Sequence, residues 1–152
     1  MRGKVEGNLL HAEGVIGHQT NCLGIMGGGI ALQVRKMFPI VYEKYKALCS
    51  SYNSHSLLGL IQPIKVNDKL SVYNLFGQHS IGRTKCHTDY DALRKIALKL
   101  IDKNVTIHLP YKMGCVLGGG DWDIVQDIFK DVKGNWYIYK EYSPPYIYST
   151  KE

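Results

Sequence analysis

Apolar side chains recur at two spacings along this chain, and the places where one gives way to the other mark its elements. Arg2 to Val5 reads as a short strand leading into Gly7-Asn8-Leu9-Leu10, and Gly14 to Thr20 as a second, largely buried strand. Ile30, Val34, Met37 and Phe38 then fall at i, i+4, i+7 and i+8, one apolar helical face. Pro39 interrupts that helix, and Ile40 to Cys49 predicts another before a polar loop over Ser50 to Ser56. Leu57 to Val66 and Leu70 to Phe76 predict two strands joined by a hairpin turn at Asn67-Asp68-Lys69. Gly77 to His87 is polar and aperiodic, a candidate flap over a site, and Thr88 is placed to cap the next helix. There Leu93, Ile96, Ala97, Leu100 and Ile101 repeat with the helical period. Val105 to Leu109 is a short apolar strand. Asp121 opens a last helix with Trp122, Val125, Ile128, Phe129 and Val132 inward, and Trp136 to Lys140 closes as a strand. The order β-β-α-α-β-β-α-β-α-β implies an α/β fold whose central sheet carries helices on both faces and is mixed because of the hairpin.

Two interruptions of this pattern carry the chemistry. Gly24-Ile25-Met26-Gly27-Gly28-Gly29-Ile30-Ala31 and Gly114-Cys115-Val116-Leu117-Gly118-Gly119-Gly120-Asp121 are each half glycine, and each runs straight into a helix. Without a Cβ, backbone N–H groups come right up to a ligand, and the helix start beyond adds unpaired donors and partial positive charge. Both stretches follow predicted strands, where ligands of open α/β sheets sit. Two such loops predict a cradle that grips a phosphorylated ligand from two sides.

Composition narrows the class. At 152 residues, 45% hydrophobic and 21% charged, the chain fits one globular domain with a full core. No stretch approaches the ~18 apolar residues of a bilayer span, and the start has no signal-peptide pattern, so a cytoplasmic protein without a membrane partner is expected. A net charge of +6 favours anionic partners, while the absence of any block of five basic residues argues against a polybasic nucleic-acid arm. Cys22, Cys49, Cys86 and Cys115 form no C-x-x-C pair, so reduced thiols and no metal site are expected.

At the level of motifs the chain resembles a macro domain, the ADP-ribose-binding module. It looks most like the small stand-alone branch of ADP-ribose 1''-phosphate phosphatases and hydrolases that remove terminal ADP-ribose from glutamate. The residues that carry the likeness are Gly17-His18-Gln19-Thr20-Asn21-Cys22, Met26-Gly27-Gly28-Gly29-Ile30-Ala31, Phe38-Pro39, Leu109-Pro110-Tyr111-Lys112-Met113-Gly114-Cys115 and Gly118-Gly119-Gly120-Asp121-Trp122. It covers about residues 1 to 142, with 143 to 152 as a C-terminal tail. It implies a three-layer α/β/α fold around a mixed, mostly parallel six-stranded sheet, and a monomer that needs no cofactor and sits in a host's cytoplasm if the chain is viral.

The resemblance also implies roles. Gly27, Gly28 and Gly29, with Met26 and Ile30, would line the distal ribose and diphosphate. Met113, Gly114, Cys115, Val116, Leu117, Gly118 and Gly119 would cradle the diphosphate from the other side. Asn21 would orient the distal ribose, Asn8 and Leu9 would meet the adenine, and one of Tyr137, Tyr139 and Tyr142, taken here as Tyr139, would stack on it. Asp121 would direct water to the terminal group, a role that can coexist with plain N-capping. Two departures stand out. Asn8 occupies the place of an adenine-binding aspartate, and Gln78 falls on or near that of a Schiff-base lysine, with Lys85 on the same loop as a substitute. The second tilts the expectation toward hydrolysis of ADP-ribose 1''-phosphate. Removal of ADP-ribose from protein or nucleic acid, and a non-catalytic ADP-ribose reader, are the alternatives. His18 reads as a core histidine, His79 and His87 as solvated, and Cys22 and Cys115 as small packing residues rather than nucleophiles.

Overall fold

A computed structural model describes residues 1–82 and 85–139. The expected strand end at Lys140, Tyr142 and the tail 143–152 lie outside the described residues.

The elements are β1 (Lys4–Glu6), β2 (Gly14–Thr20), α1 (Gly29–Met37), α2 (Pro39–Ser51), α3 (Ser54–Leu57), β3 (Ile61–Asn67), β4 (Leu70–Phe76), α4 (Tyr90–Asp102), β5 (Leu109–Pro110), α5 (Trp122–Phe129) and β6 (Trp136–Ile138), with a 3-10 turn at Leu9–His11. Parallel pairing orders β1-β6-β5 on one side, and β2-β4 on the other with β3 antiparallel at its edge. The halves join where Ile16 bridges His108, with Gly17 N–H donating to His108 O at 2.9 Å and His108 N–H to Val15 O at 2.9 Å. The result is a mixed six-stranded sheet inside a three-layer α/β/α fold. Gly17 permits that join, because a Cβ there would come within 2.7 Å of Ile107 Cδ1 and 3.0 Å of Leu109 Cδ2.

A core lies on each face. One gathers Leu9, Ile16, Val34, Val41, Tyr45, Leu57, Ile64, Val72 and Phe76 under α1 and α2. The other gathers Leu75, Leu93, Ile96, Leu100, Ile107, Leu109, Val125, Phe129 and Trp136 under α4 and α5.

Several expectations shift. The polar stretch after α2 is not all loop: Asn53 accepts from His55 N–H and starts α3. Leu57 therefore ends a helix, and β3 begins only at Ile61. Asp89, not Thr88, caps α4, accepting from Ala92 N–H at 3.0 Å. Ile101 and Met37, placed on inward faces by periodicity, are exposed. The strand expected over Val105 to Leu109 shrinks to Leu109–Pro110, with isolated bridges at Thr106 and His108.

Candidate functional site

The first glycine stretch leaves β2 through a turn built on Asn21. Its Oδ1 accepts from Leu23 N–H at 2.9 Å and from the buried Tyr45 hydroxyl at 2.7 Å, and its Nδ2 donates to Ile25 O at 2.8 Å. The chain then reaches Gly28, which starts α1 with no side chain bonded to the first-turn N–H groups. Those donors face the cleft uncapped, a ready anion site.

The second stretch leaves β5 through two tight turns, with Met113 N–H donating to Pro110 O at 3.0 Å and Cys115 N–H to Lys112 O at 2.9 Å. Gly114 has φ 77° and sits against Gln19, where a Cβ would come within 2.6 Å of Gln19 Oε1. A strut holds this loop to the sheet. Gln19 Nε2 donates to Thr88 Oγ1 at 2.9 Å and to Gln78 Oε1 at 2.8 Å, and Thr88 Oγ1 donates to Gly114 O at 2.6 Å. His87 and Thr88 N–H both donate to Gly118 O, at 2.7 and 3.1 Å.

The two loops face each other. A Cβ on Gly28 would lie 3.0 Å from Leu117 Cδ1, and between the loops opens a cleft of about 550 Å³. Of the residues expected to bind, Asn21, Gly27, Gly28, Gly29, Ile30, Met113, Gly114, Val116, Leu117 and Gly118 line it. Leu9 and Met26 lie in the core, Asn8 accepts from Leu10 N–H at 2.9 Å and caps the 3-10 turn, and Tyr139, just after β6, packs against the same core. Cys115, Gly119 and Asp121 are not part of the lining. Asp121 is exposed, and its Oδ1 caps α5 by accepting from Asp123 N–H at 2.9 Å and Ile124 N–H at 3.4 Å.

The walls also include Gln19, Thr20, Gln78, Ile81, Gly82, Tyr111 and Lys112. Gln19, Thr20, Tyr111 and Lys112 lie within the motifs that carry the resemblance and Gln78 is one of its departures, whereas Ile81 and Gly82 sit in an aperiodic polar stretch that carries no local signal for lining a cleft. Lys85 is exposed outside the lining, with its carbonyl against Gly119.

Electrostatics separate core groups from site groups. Burial holds the His18 imidazole down at about 4, partly countered by its 2.7 Å bond to Asn74 Oδ1. Burial first, and neighbouring anionic groups second, push the Cys22 and Cys115 thiols up to about 12, so neither is a thiolate at neutral pH. Among the described residues no cluster of three His, Cys, Asp or Glu could hold a metal, and no helix is long and apolar enough to cross a membrane.

No protein-family model matches the chain. It is 32% identical over 129 residues to an uncharacterized 17.5 kDa protein in the tk-vs intergenic region of Enterobacteria phage T4, covering 78% of this chain and 80% of that one. It is 33% identical over 104 residues to an ADP-ribose 1''-phosphate phosphatase of Saccharomyces cerevisiae (strain YJM789), covering 62% of this chain and 58% of that enzyme. A solved protein of unknown function from Bacteroides thetaiotaomicron superposes with a TM-score of 0.77 at 28% identity, over 91% of this chain and 99% of that one. A macrodomain protein from Streptomyces coelicolor superposes with a TM-score of 0.72 at 24% identity, over 90% of this chain and 98% of that one, a likeness of fold.

Proposed function

Because the chain belongs to the family of the phage T4 17.5 kDa protein and has the macrodomain fold, we propose that its cleft binds ADP-ribose and that it hydrolyses ADP-ribose derivatives, ADP-ribose 1''-phosphate first among them. One observation carries the binding: two glycine loops at neighbouring strand ends face each other across about 550 Å³, with the uncapped start of α1 on one side. A pyrophosphate between them meets backbone donors and a helix N-terminus together. The name of the yeast relative supports the reaction. Water attacks the terminal phosphorus, the P–O bond to the sugar breaks, and ADP-ribose and inorganic phosphate leave. In this reading Asn21 shapes the loop under the distal ribose, and Asp121, at the end of the second loop, is the candidate for directing water.

A second reading, a binding module without turnover, has its own observation. No Asp, Glu, His or Cys is among the described residues that line the cleft. The two readings separate on one experiment. Calorimetry with ADP-ribose, ADP, AMP and NAD tests the ligand, and a preference for ADP-ribose is expected. Phosphate release from ADP-ribose 1''-phosphate then compares wild type with Asp121→Asn, which keeps the capping oxygen and removes the charge. Turnover lost at unchanged thermal stability supports catalysis by Asp121. Tight binding with no turnover of this compound, or of ADP-ribosylated peptide and nucleoside, leaves the module.

A further inference from the structure

Charge is sparse among the described residues of the cleft. Among the described residues that line it, Lys112 is the sole Lys, Arg, Asp or Glu. No salt bridge among the described residues includes it. Its backbone is also out of the ordinary, since φ is 61°, in the left-handed region. The other described non-glycine residue there is Asn104, of a type that tolerates it; a lysine does so against the crowding of its Cβ on the backbone. The turns at Pro110–Met113 and Lys112–Cys115 hold it in place from both sides. Next to it, the Tyr111 ring is braced edge-on by Trp122 at 4.9 Å and has Lys4 Nζ 5.0 Å and Lys112 Nζ 6.0 Å from its centroid. A lysine outside any salt bridge, on a strained turn at the cleft, is a place where conformational energy is held for a ligand.

We propose that Lys112 is the fixed cation that grips the ligand's pyrophosphate, and that the left-handed turn is retained for this contact at the expense of stability. The inference rests on the cleft taking an ADP-ribose-type ligand. Main-chain N–H groups supply partial charges, whereas Lys112 supplies a whole one. For an exposed lysine such as this one, the charge is worth at most about tenfold in affinity, and less as salt rises.

The test is calorimetry of ADP-ribose and of ADP, at low and moderate salt, on wild type, Lys112→Arg, Lys112→Gln and Lys112→Asn, with melting temperatures for each. Lys112→Gln is expected to bind both ligands about tenfold more weakly at low salt, with the gap closing as salt rises, and Lys112→Arg to stay within about threefold of wild type. Lys112→Asn should lose affinity as Lys112→Gln does, yet melt at or about 1–3 °C above wild type, because asparagine accepts the left-handed turn. A lysine that merely shaped the loop would not part affinity from stability in this way. Lys112→Gln binding within twofold of wild type at low salt overturns the proposal, as does an affinity gap that ignores salt. Should wild type bind ADP but show no preference for ADP-ribose, the functional reading fails while the Lys112 effect is still read on ADP. Wild type that binds neither overturns both.

Discussion

His18 is a fully buried imidazole on β2, three residues before the turn at Asn21, and its protonation should set the acid limit of the fold. Burial holds its pKa at about 4 against 6.5 for the unfolded chain, with the hydrogen bond to Asn74 opposing the shift. The folded state thus binds fewer protons than the unfolded state between those values. Stability from this residue is present in full above pH 6.5, declines as pH falls, and is gone below about pH 4. Each unit of pKa difference is about 1.4 kcal/mol, so the loss is about 3 kcal/mol, a large share of a typical domain stability of about 5–15 kcal/mol. Burial also lowers the pKa of His108, which adds loss of the same sign as pH falls below 6.5. The assay is urea unfolding at steps from pH 7.5 to pH 4, on wild type and on His18→Gln, whose amide does not titrate. The stability gap between the two should shrink by about 3 kcal/mol from the top of that range to the bottom. A gap that stays constant with pH would refute the reasoning, because it would mean that the ring carries its proton in the fold as readily as in the unfolded chain.

Two further outcomes follow from the strut under the second glycine loop. Thr88→Val keeps the shape but removes the hydroxyl that accepts from Gln19 and donates to Gly114 O, and should cost about 1–3 kcal/mol in urea unfolding. Gly118→Ala places a Cβ 2.8 Å from Gly114 O and against Thr88 Oγ1, so the loop must move. Calorimetry should show ADP-ribose affinity falling by tenfold or more, beside a stability loss of about 1–3 kcal/mol.

How much of this was legible in sequence depends on how local each cause is. Glycine runs at strand ends announce themselves, because the conformations they permit belong to single residues, and both loops meet at the cleft. β2, α1 and β4 follow from their periods. What escaped is set by partners far along the chain. Thr88 has the chemistry of a cap, and only the approach of a loop 26 residues away turns its hydroxyl to Gly114. Asn21 has the chemistry of a ribose ligand, yet its oxygen is taken by Leu23 and by Tyr45, 24 residues on, so its effect on a ligand passes mainly through the loop it shapes. Asp121 could serve as catalyst or cap; the cap is a contact with its own helix and needs no ligand, so it forms here. Lys112 is the opposite case. No local pattern marks a left-handed lysine, since the backbone there is imposed by the turns between β5 and the glycines. Residues held against their own preference are where sequence rules fail, and in this cleft the residue so held is also the one formally charged residue among those described in the lining.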